Sequence, residues 1–335
     1  MPRTILLTGV SGFIAKRIAY DLLTQGDSVR GTLRSLNRGD EVRAAMGDLP
    51  DEALDRLTFV QADLTSDAGW DAAMAGVDAV MHTASPFPLE NPKDESIVIK
   101  PAVEGTERVL KAAQAAGVTR VIITSSMEAI MHGVKSSPLS DSDWSDPSAA
   151  TAVAYTRSKI FAEKAAWAFA EKHPEMEITV INPGLVCGIP MDNTMGSSVS
   201  IIKRILSGKD PMVPDFMLPV VDVEDVSACH LGALNNPASI GNRYICADGF
   251  LSMPDMAAHL ADSFPDRKIA QRIAPKWLVS VFALFDKQLA VVKNMIGLKM
   301  SLTNAAATRD LGVTFVPARE AILRTAWFLD SQGRA

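Results

Sequence analysis

Short apolar runs alternate along this chain with longer stretches whose apolar residues recur three and four positions apart. Thr4–Thr8 (TILLT) is the first run, and it ends in a Gly-rich turn. Gly12–Gln25 follows with Phe13, Ile14, Ile18, Leu22 and Leu23 at helical spacing. Ser28–Leu33, Leu57–Gln61, Ala79–His82, Val121–Thr124 and Ile178–Ile181 are the next strand-like runs. A long helical stretch ending at Gly117 precedes the fifth run, and a helix around Tyr155–Lys172 precedes the sixth. Strands so short and so apolar are covered on both faces, which predicts a parallel sheet between helices. Right-handed crossovers make this an α/β, Rossmann-type doubly wound sheet. Its ligand crevice lies at the carboxyl ends of the strands.

Beyond Pro183 the rhythm breaks. Pro190, Pro211, Pro214 and Pro219 cut the chain into short pieces that favour loops and small helices. Residues 1–185 are therefore expected to form the dinucleotide-binding domain. Val220–Val223 and Arg243–Cys246 read as further strands, so 220–248 is expected to return to that domain. Residues 186–219 and 249–335 are left as a smaller C-terminal lobe that shapes a substrate pocket.

Composition narrows the class. Of 335 residues, 47% are hydrophobic and 21% charged, which supports a large core and argues against disorder. The net charge is -6 without a basic run, so nucleic acid is not an expected partner. Cys187, Cys229 and Cys246 form no Cys-x-x-Cys pair, which points to structural thiols in a reducing compartment, with no metal site expected. The apolar run at the N-terminus is too short for a signal peptide. Trp277–Leu298 is interrupted by Asp286, Lys287 and Lys293, so no membrane span is expected and the reading is cytoplasmic. That stretch reads instead as a subunit contact, as in a homodimer, or as a lid over the substrate.

Candidate chemistry sits just after the strands. Thr8-Gly9-Val10-Ser11-Gly12-Phe13-Ile14-Ala15 joins the first strand to the first helix. A glycine permits a positive φ, a second lets a pyrophosphate approach the backbone, and the helix start offers free N–H groups. Its spacing is Gly-x-x-Gly-x-x-Ala, so only the strand–loop–helix context gives it weight. The second strand ends in Arg34, where an NAD site would carry an acid. A guanidinium there can pair with a 2′-phosphate, so NADP(H) is the expected cofactor, and Arg38 is a second candidate for that phosphate. Asp63-Leu64 follows the third strand and is a candidate for the adenine. Thr83, Ala84 and Ser85 follow the fourth, where small residues admit the cofactor; His82 at that strand's edge reads as structural.

Tyr155 and Lys159 are four apart on one helix and share a face. A nearby ammonium stabilises phenolate, which is expected to lower the tyrosine pKa from about 10. Tyr155 could then donate to a carbonyl oxygen or accept from an alcohol. Ser125 and Ser126 end the fifth strand, and either hydroxyl could orient a substrate carbonyl.

Together these residues resemble the extended short-chain dehydrogenase/reductase family, up to about Gly249 and more loosely beyond. Within it the chain is similar to the branch of dihydroflavonol reductases, cinnamoyl-CoA reductases and methylglyoxal reductases. The segments that carry this likeness are 31–34 (GTLR), 82–87 (HTASPF), 101–106 (PAVEGT), Asp143-Trp144-Ser145, 182–188 (NPGLVCG) and 221–226 (VDVEDV). The resemblance implies catalytic Ser126, Tyr155 and Lys159. It implies cofactor contacts from Gly9, Gly12, Phe13, Ile14, Arg34, Asp63, Leu64, Ala84 and Pro183, with Ser198 where the branch often places another. The chain departs from the pattern in two places. Met127-Glu128 follow Ser126 where small residues are usual, and Glu128 is expected to point outward, because a buried carboxylate is costly unless paired. Met131 stands where flavonoid reductases carry a polar substrate contact, which argues against a flavonoid.

The expected activity is NADPH-dependent reduction of an aldehyde or ketone, reversible as alcohol oxidation, on a medium-sized, fairly apolar small molecule. Phe87, Pro88, Met191, Met195, Met212, Phe216 and Met217 are candidates for the pocket wall. The rival readings are an NAD(P)-dependent nucleotide-sugar epimerase or dehydratase, and a non-catalytic NADP-sensing regulator.

Overall fold

A computed structural model describes residues 2–85, 94–194, 196–285, 290 and 293–334. The strands are β1 (Thr4–Thr8), β2 (Ser28–Leu33), β3 (Leu57–Gln61), β4 (Ala79–His82), β5 (Arg120–Thr124), β6 (Glu177–Pro183), β7 (Leu185–Cys187), β8 (Val213–Pro214), β9 (Met217–Asp222), β10 (Arg243–Cys246), β11 (Gly249–Ser252) and β12 (Ile273–Ala274). Seven of them form a central sheet in the order β10-β6-β5-β4-β1-β2-β3. Every pairing in it is parallel.

The sheet is apolar on both faces because its side chains alternate between two cores. Ile5, Leu7, Met81, Ile122 and Ile181 pack into one core, with the helix Phe13–Thr24 and the helix Val223–Asn235. Leu6, Val80, Val121, Val180 and Ile178 point the other way, into a core shared with the helices Ser96–Ala115 and Ala154–Lys172. Each such side chain removed from water contributes about 1.5–3 kcal/mol, so a shift of register by one residue would exchange the two cores' lining. This is why five-residue strands suffice to specify the sheet.

The chain after β6 divides differently from the expectation. Arg243–Cys246 does join the central sheet beside β6. Residues around Val220–Val223 do not: β9 pairs with β7 and β11 in a separate three-stranded sheet. Close backbone approach explains the switch. A Cβ on Gly184 would lie 2.4 Å from Pro219 O, so only glycine between β6 and β7 lets β9 lie there. The helix Val223–Asn235 then returns to pack on the helix Phe13–Thr24. Cys187, Cys229 and Cys246 are buried free thiols. Burial pushes the Cys187 thiol up to about 12, far from a reactive thiolate. Among the described residues no helix is long and apolar enough to cross a membrane.

Candidate active site

The strand registers bring the predicted residues level. Thr8 pairs with His82, Leu33 with Gln61, His82 with Ile123 and Thr124 with Ile181. The residues that follow therefore emerge along one edge: Gly9, Arg34, Asp63, Thr83 to Ser85, and Ser125-Ser126. Strand order reverses between β1 and β4, and there the segments that follow the two strands touch. Gly9 has a φ of 66°, and a Cβ on it would lie 3.0 Å from Ala84 Cβ. Hydrogen bonds fasten this junction. Ala84 N donates to Thr8 Oγ1, which lies 2.9 Å from His82 Nδ1, while Thr83 Oγ1 donates to Thr8 O. His82 is buried in this network. Burial, and then the Lys159 charge, push its pKa down to about 3, so it is a neutral structural imidazole.

Gly12 caps the helix Phe13–Thr24 with no side-chain bond to its first turn, which leaves those N–H groups turned to the crevice. Such a cradle fits a pyrophosphate. Arg38 Nη1 donates to Ser11 Oγ at 3.0 Å, and Arg38 also pairs with Glu41 at 2.8 Å, so its guanidinium stands directly at the loop. Arg34 is exposed at the end of β2, its carbonyl accepting from Gln61 Nε2. Asp63 Oδ1 accepts from both the backbone and the hydroxyl of Thr65, bonds that hold its pKa below the usual range. Leu64 packs against Gly105, where a Cβ would come within 2.9 Å.

One contact here had no counterpart in the sequence reading. Lys16, buried in the first helix, pairs with Glu41 at 3.3 Å and with Asp192 from the segment after β7. Gly196 in the same segment faces the Phe13 ring, and a Cβ there would lie 3.1 Å from Cδ1. The segment thus lies against the start of the phosphate-loop helix. A lysine on the otherwise apolar face of that helix was the available signal.

At the end of β5 the two serines part. Ser125 is buried and donates to Glu163 Oε2 at 2.5 Å. Ser126, with extended backbone at φ -164°, instead hydrogen-bonds Tyr155 and accepts from Glu128 N at 3.2 Å. Lys159 is buried with its Nζ 5.8 Å from the centre of the Tyr155 ring. The structure therefore brings Ser126, Tyr155 and Lys159 together and assigns Ser125 to the scaffold. Glu163 continues the same helix face four residues past Lys159. It accepts from Asn182 Nδ2 at 2.7 Å and lies 2.7 Å from Arg243 Nε, whose guanidinium covers the Trp144 ring at 3.8 Å. Burial lowers the Lys159 pKa to about 8, against the opposing fields of Glu163 and Glu128.

Two expectations are corrected at this point. Tyr155 is not brought down by Lys159: burial and the Glu128 charge push its pKa above 10, and the Ser126 bond only partly offsets them. Glu128 does not point away from the site. It lies 2.9 Å from His132 Nε2 and accepts from Thr156 Oγ1, and these partners satisfy the carboxylate. Burial alone would raise the Glu128 pKa, but His132, Thr156 and Lys159 hold it lower.

The remaining candidates are spread along the cleft. Pro183 ends β6 and is buried opposite Cys246, and Ser198 lies half-buried in the helix Ser197–Leu206. Phe216 belongs to the main core, Met191 packs against it, and Met212 and Met217 are half-buried. Phe87, Pro88 and Met195 lie outside the described residues, as do parts of Trp277–Leu298. The described start of that stretch exposes Trp277, Leu284 and Phe285.

A parallel sheet with a glycine phosphate loop and a Ser–Tyr–Lys cluster defines a nicotinamide-dinucleotide enzyme of the extended short-chain dehydrogenase/reductase type. The chain belongs to the NAD dependent epimerase/dehydratase family, whose model matches residues 5–247, and it is an oxidoreductase. It is 32% identical to cinnamoyl-CoA reductase 1 of Petunia hybrida over 338 residues, covering 99% of this chain and 93% of that one. It is 31% identical to dihydroflavonol 4-reductase of Zea mays over 277 residues, 80% of this chain and 76% of that one. Its structure is similar to that of a yeast methylglyoxal/isovaleraldehyde reductase complexed with NADPH, with a TM-score of 0.82 and 27% identity over 99% of this chain and 100% of that one.

Proposed function

We propose that this enzyme uses NADPH to reduce an aldehyde or ketone, and in reverse oxidises the corresponding alcohol. The observation that carries this is the meeting of Ser126, Tyr155 and Lys159 at the carboxyl end of β5, beside the strand-order switch. The cofactor is NADP(H), and when bound it supplies the hydride. Gly9, Gly12, Phe13 and Ile14 hold its pyrophosphate at the helix start. Arg34 and Arg38 take the 2′-phosphate, with Asp63 and Leu64 at the adenine. Thr83, Ala84, Ser85, Pro183 and Ser198 would complete the cofactor contacts. This account is supported by the yeast relative solved with NADPH and by Arg34, which stands where an NAD site would carry an acid.

In the reaction, Ser126 Oγ donates to the substrate carbonyl oxygen and fixes its place. Tyr155 Oη gives that oxygen a proton as the carbonyl is reduced. A raised tyrosine pKa suits donation: the phenol keeps its proton until an alkoxide, a far stronger base, develops beside it. Lys159 holds the ribose and offers positive charge to the phenolate that forms. Glu163, braced by Ser125, Asn182 and Arg243, keeps Lys159 protonated against its burial. The three buried thiols are in line with a cytoplasmic setting. A panel of aldehydes and ketones, followed by NADPH consumption beside NADH, tests this reading. Turnover of several carbonyls with NADPH supports it. NADPH-dependent thermal stabilisation with no turnover across the panel would favour a sensor instead.

A further inference from the structure

Two residues past Ser126, a carboxylate stands beside the groups assigned to proton transfer. Its neighbours Met127 and Ala129 are sealed in the core, whereas the Glu128 side chain keeps 23% of its surface open. The turn that carries it is held from both ends. Ser145 Oγ donates to Glu128 O at 2.7 Å and accepts from His132 N at 2.9 Å. His132 and Thr156 fasten the carboxylate, and Thr156 adjoins Tyr155 on the same helix. The Glu128 charge acts on both Tyr155 and Lys159. Of the other charges near the site, Arg243 lies against Glu163, and Lys159 stands between the fields of Glu163 and Glu128.

We propose that Glu128 is a specificity-determining residue, which makes the site select neutral or cationic carbonyl compounds and reject those carrying a carboxylate next to the carbonyl. The inference rests on the reductase reading above. With the carbonyl oxygen on Ser126 and Tyr155, a substituent on the carbonyl carbon lies beside the Ser126–Glu128 turn. Two like charges about 6 Å apart at an effective dielectric of about 20 disfavour binding by roughly a hundredfold. The partial exposure of Glu128 brings this to about tenfold through solvent screening.

The test compares benzoylformate with its methyl ester at a single neutral pH. Each kcat/KM is measured for the wild type, Glu128→Gln and Glu128→Asp, and the acid-to-ester ratio of each variant is divided by that of the wild type. This cancels the intrinsic reactivities of the two compounds. Glu128→Gln is expected to raise the ratio about tenfold, and Glu128→Asp, which keeps the charge, to leave it within about twofold. An unchanged ratio in Glu128→Gln, or an equal fall for both substrates, overturns the proposal and leaves a structural role. Should the variants fail to fold, competitive inhibition of the wild type decides. Benzamide is expected to inhibit more strongly than benzoate, and equal or stronger inhibition by benzoate overturns the proposal. Full turnover by Tyr155→Phe would instead sink the reductase mechanism, so the two failures are distinguishable.

Discussion

Acidification is expected to loosen this fold through a histidine lying directly beneath the active-site strand. His230 is fully buried in the helix Val223–Asn235. Its Nδ1 lies 2.7 Å from Val226 O and must carry the proton, so Nε2 accepts from Thr124 Oγ1 at 2.7 Å. Both ring nitrogens are thus satisfied in the neutral form. Burial lowers the pKa to about 4 from an unperturbed 6.5. Between these values the unfolded chain binds the extra proton and the folded chain does not. The stability this group contributes is therefore complete above 6.5 and is lost as pH falls toward 4. At about pH 4.5 the loss spans two pKa units, or about 3 kcal/mol. That is a large share of a typical total of about 5–15 kcal/mol. The assay is urea unfolding of the wild type and His230→Gln, followed by tryptophan fluorescence at about pH 7.5 and about pH 4.5. Glutamine can donate and accept in the same places but does not titrate. The variant is expected to be less stable by about 1–2 kcal/mol at the higher pH, with the gap closing or reversing at the lower. The same gap at both pH values would refute the reasoning.

Three further outcomes follow from the geometry. Arg34→Ser should raise the KM for NADPH by about ten- to a hundredfold while hardly changing turnover with NADH, since a bond to a charged phosphate contributes about 1.5–3 kcal/mol; equal losses with both cofactors would count against a 2′-phosphate contact. Carbonyl reduction should decline above about pH 8 as Lys159 loses its proton. Glu163→Gln, by removing a charge that raises this pKa, should move the decline to lower pH, and an unmoved limb in a pH–rate profile would contradict the role given to Glu163. Gly9→Ala should cost about 1–2 kcal/mol for its positive φ, seen as a lower Tm, and should weaken protection by NADPH because the added methyl meets Ala84.

How much of this was written plainly in the sequence depends on the range of the forces involved. β1 and β4 were legible because a strand buried on both faces must be apolar throughout, and TILLT or AVMH can hardly be anything else between helical stretches. β9 is legible as a strand but its sheet is not, since its partner is decided by a close approach to Gly184 that no periodicity records. Tyr155 and Lys159 share a helix face, so their meeting was local and readable. The direction of the Tyr155 shift was not, because it depends on burial and on Glu128, whose side chain is held by His132 and Thr156. Glu163 carries its own signal in the sequence. It lies four and eight residues past Lys159 and Tyr155, an acid on the buried face of the same helix. Its partner Arg243 lies in a strand eighty residues later, and nothing in the sequence joins the two.

The central claim is that Tyr155 delivers the proton during carbonyl reduction. It is tested most directly by Tyr155→Phe, with NADPH affinity from fluorescence titration and kcat/KM on the best carbonyl of the panel. The account predicts an NADPH affinity within about twofold of the wild type and a kcat/KM lower by about a hundred- to ten-thousandfold. Turnover at the wild-type rate with the cofactor still bound would contradict it.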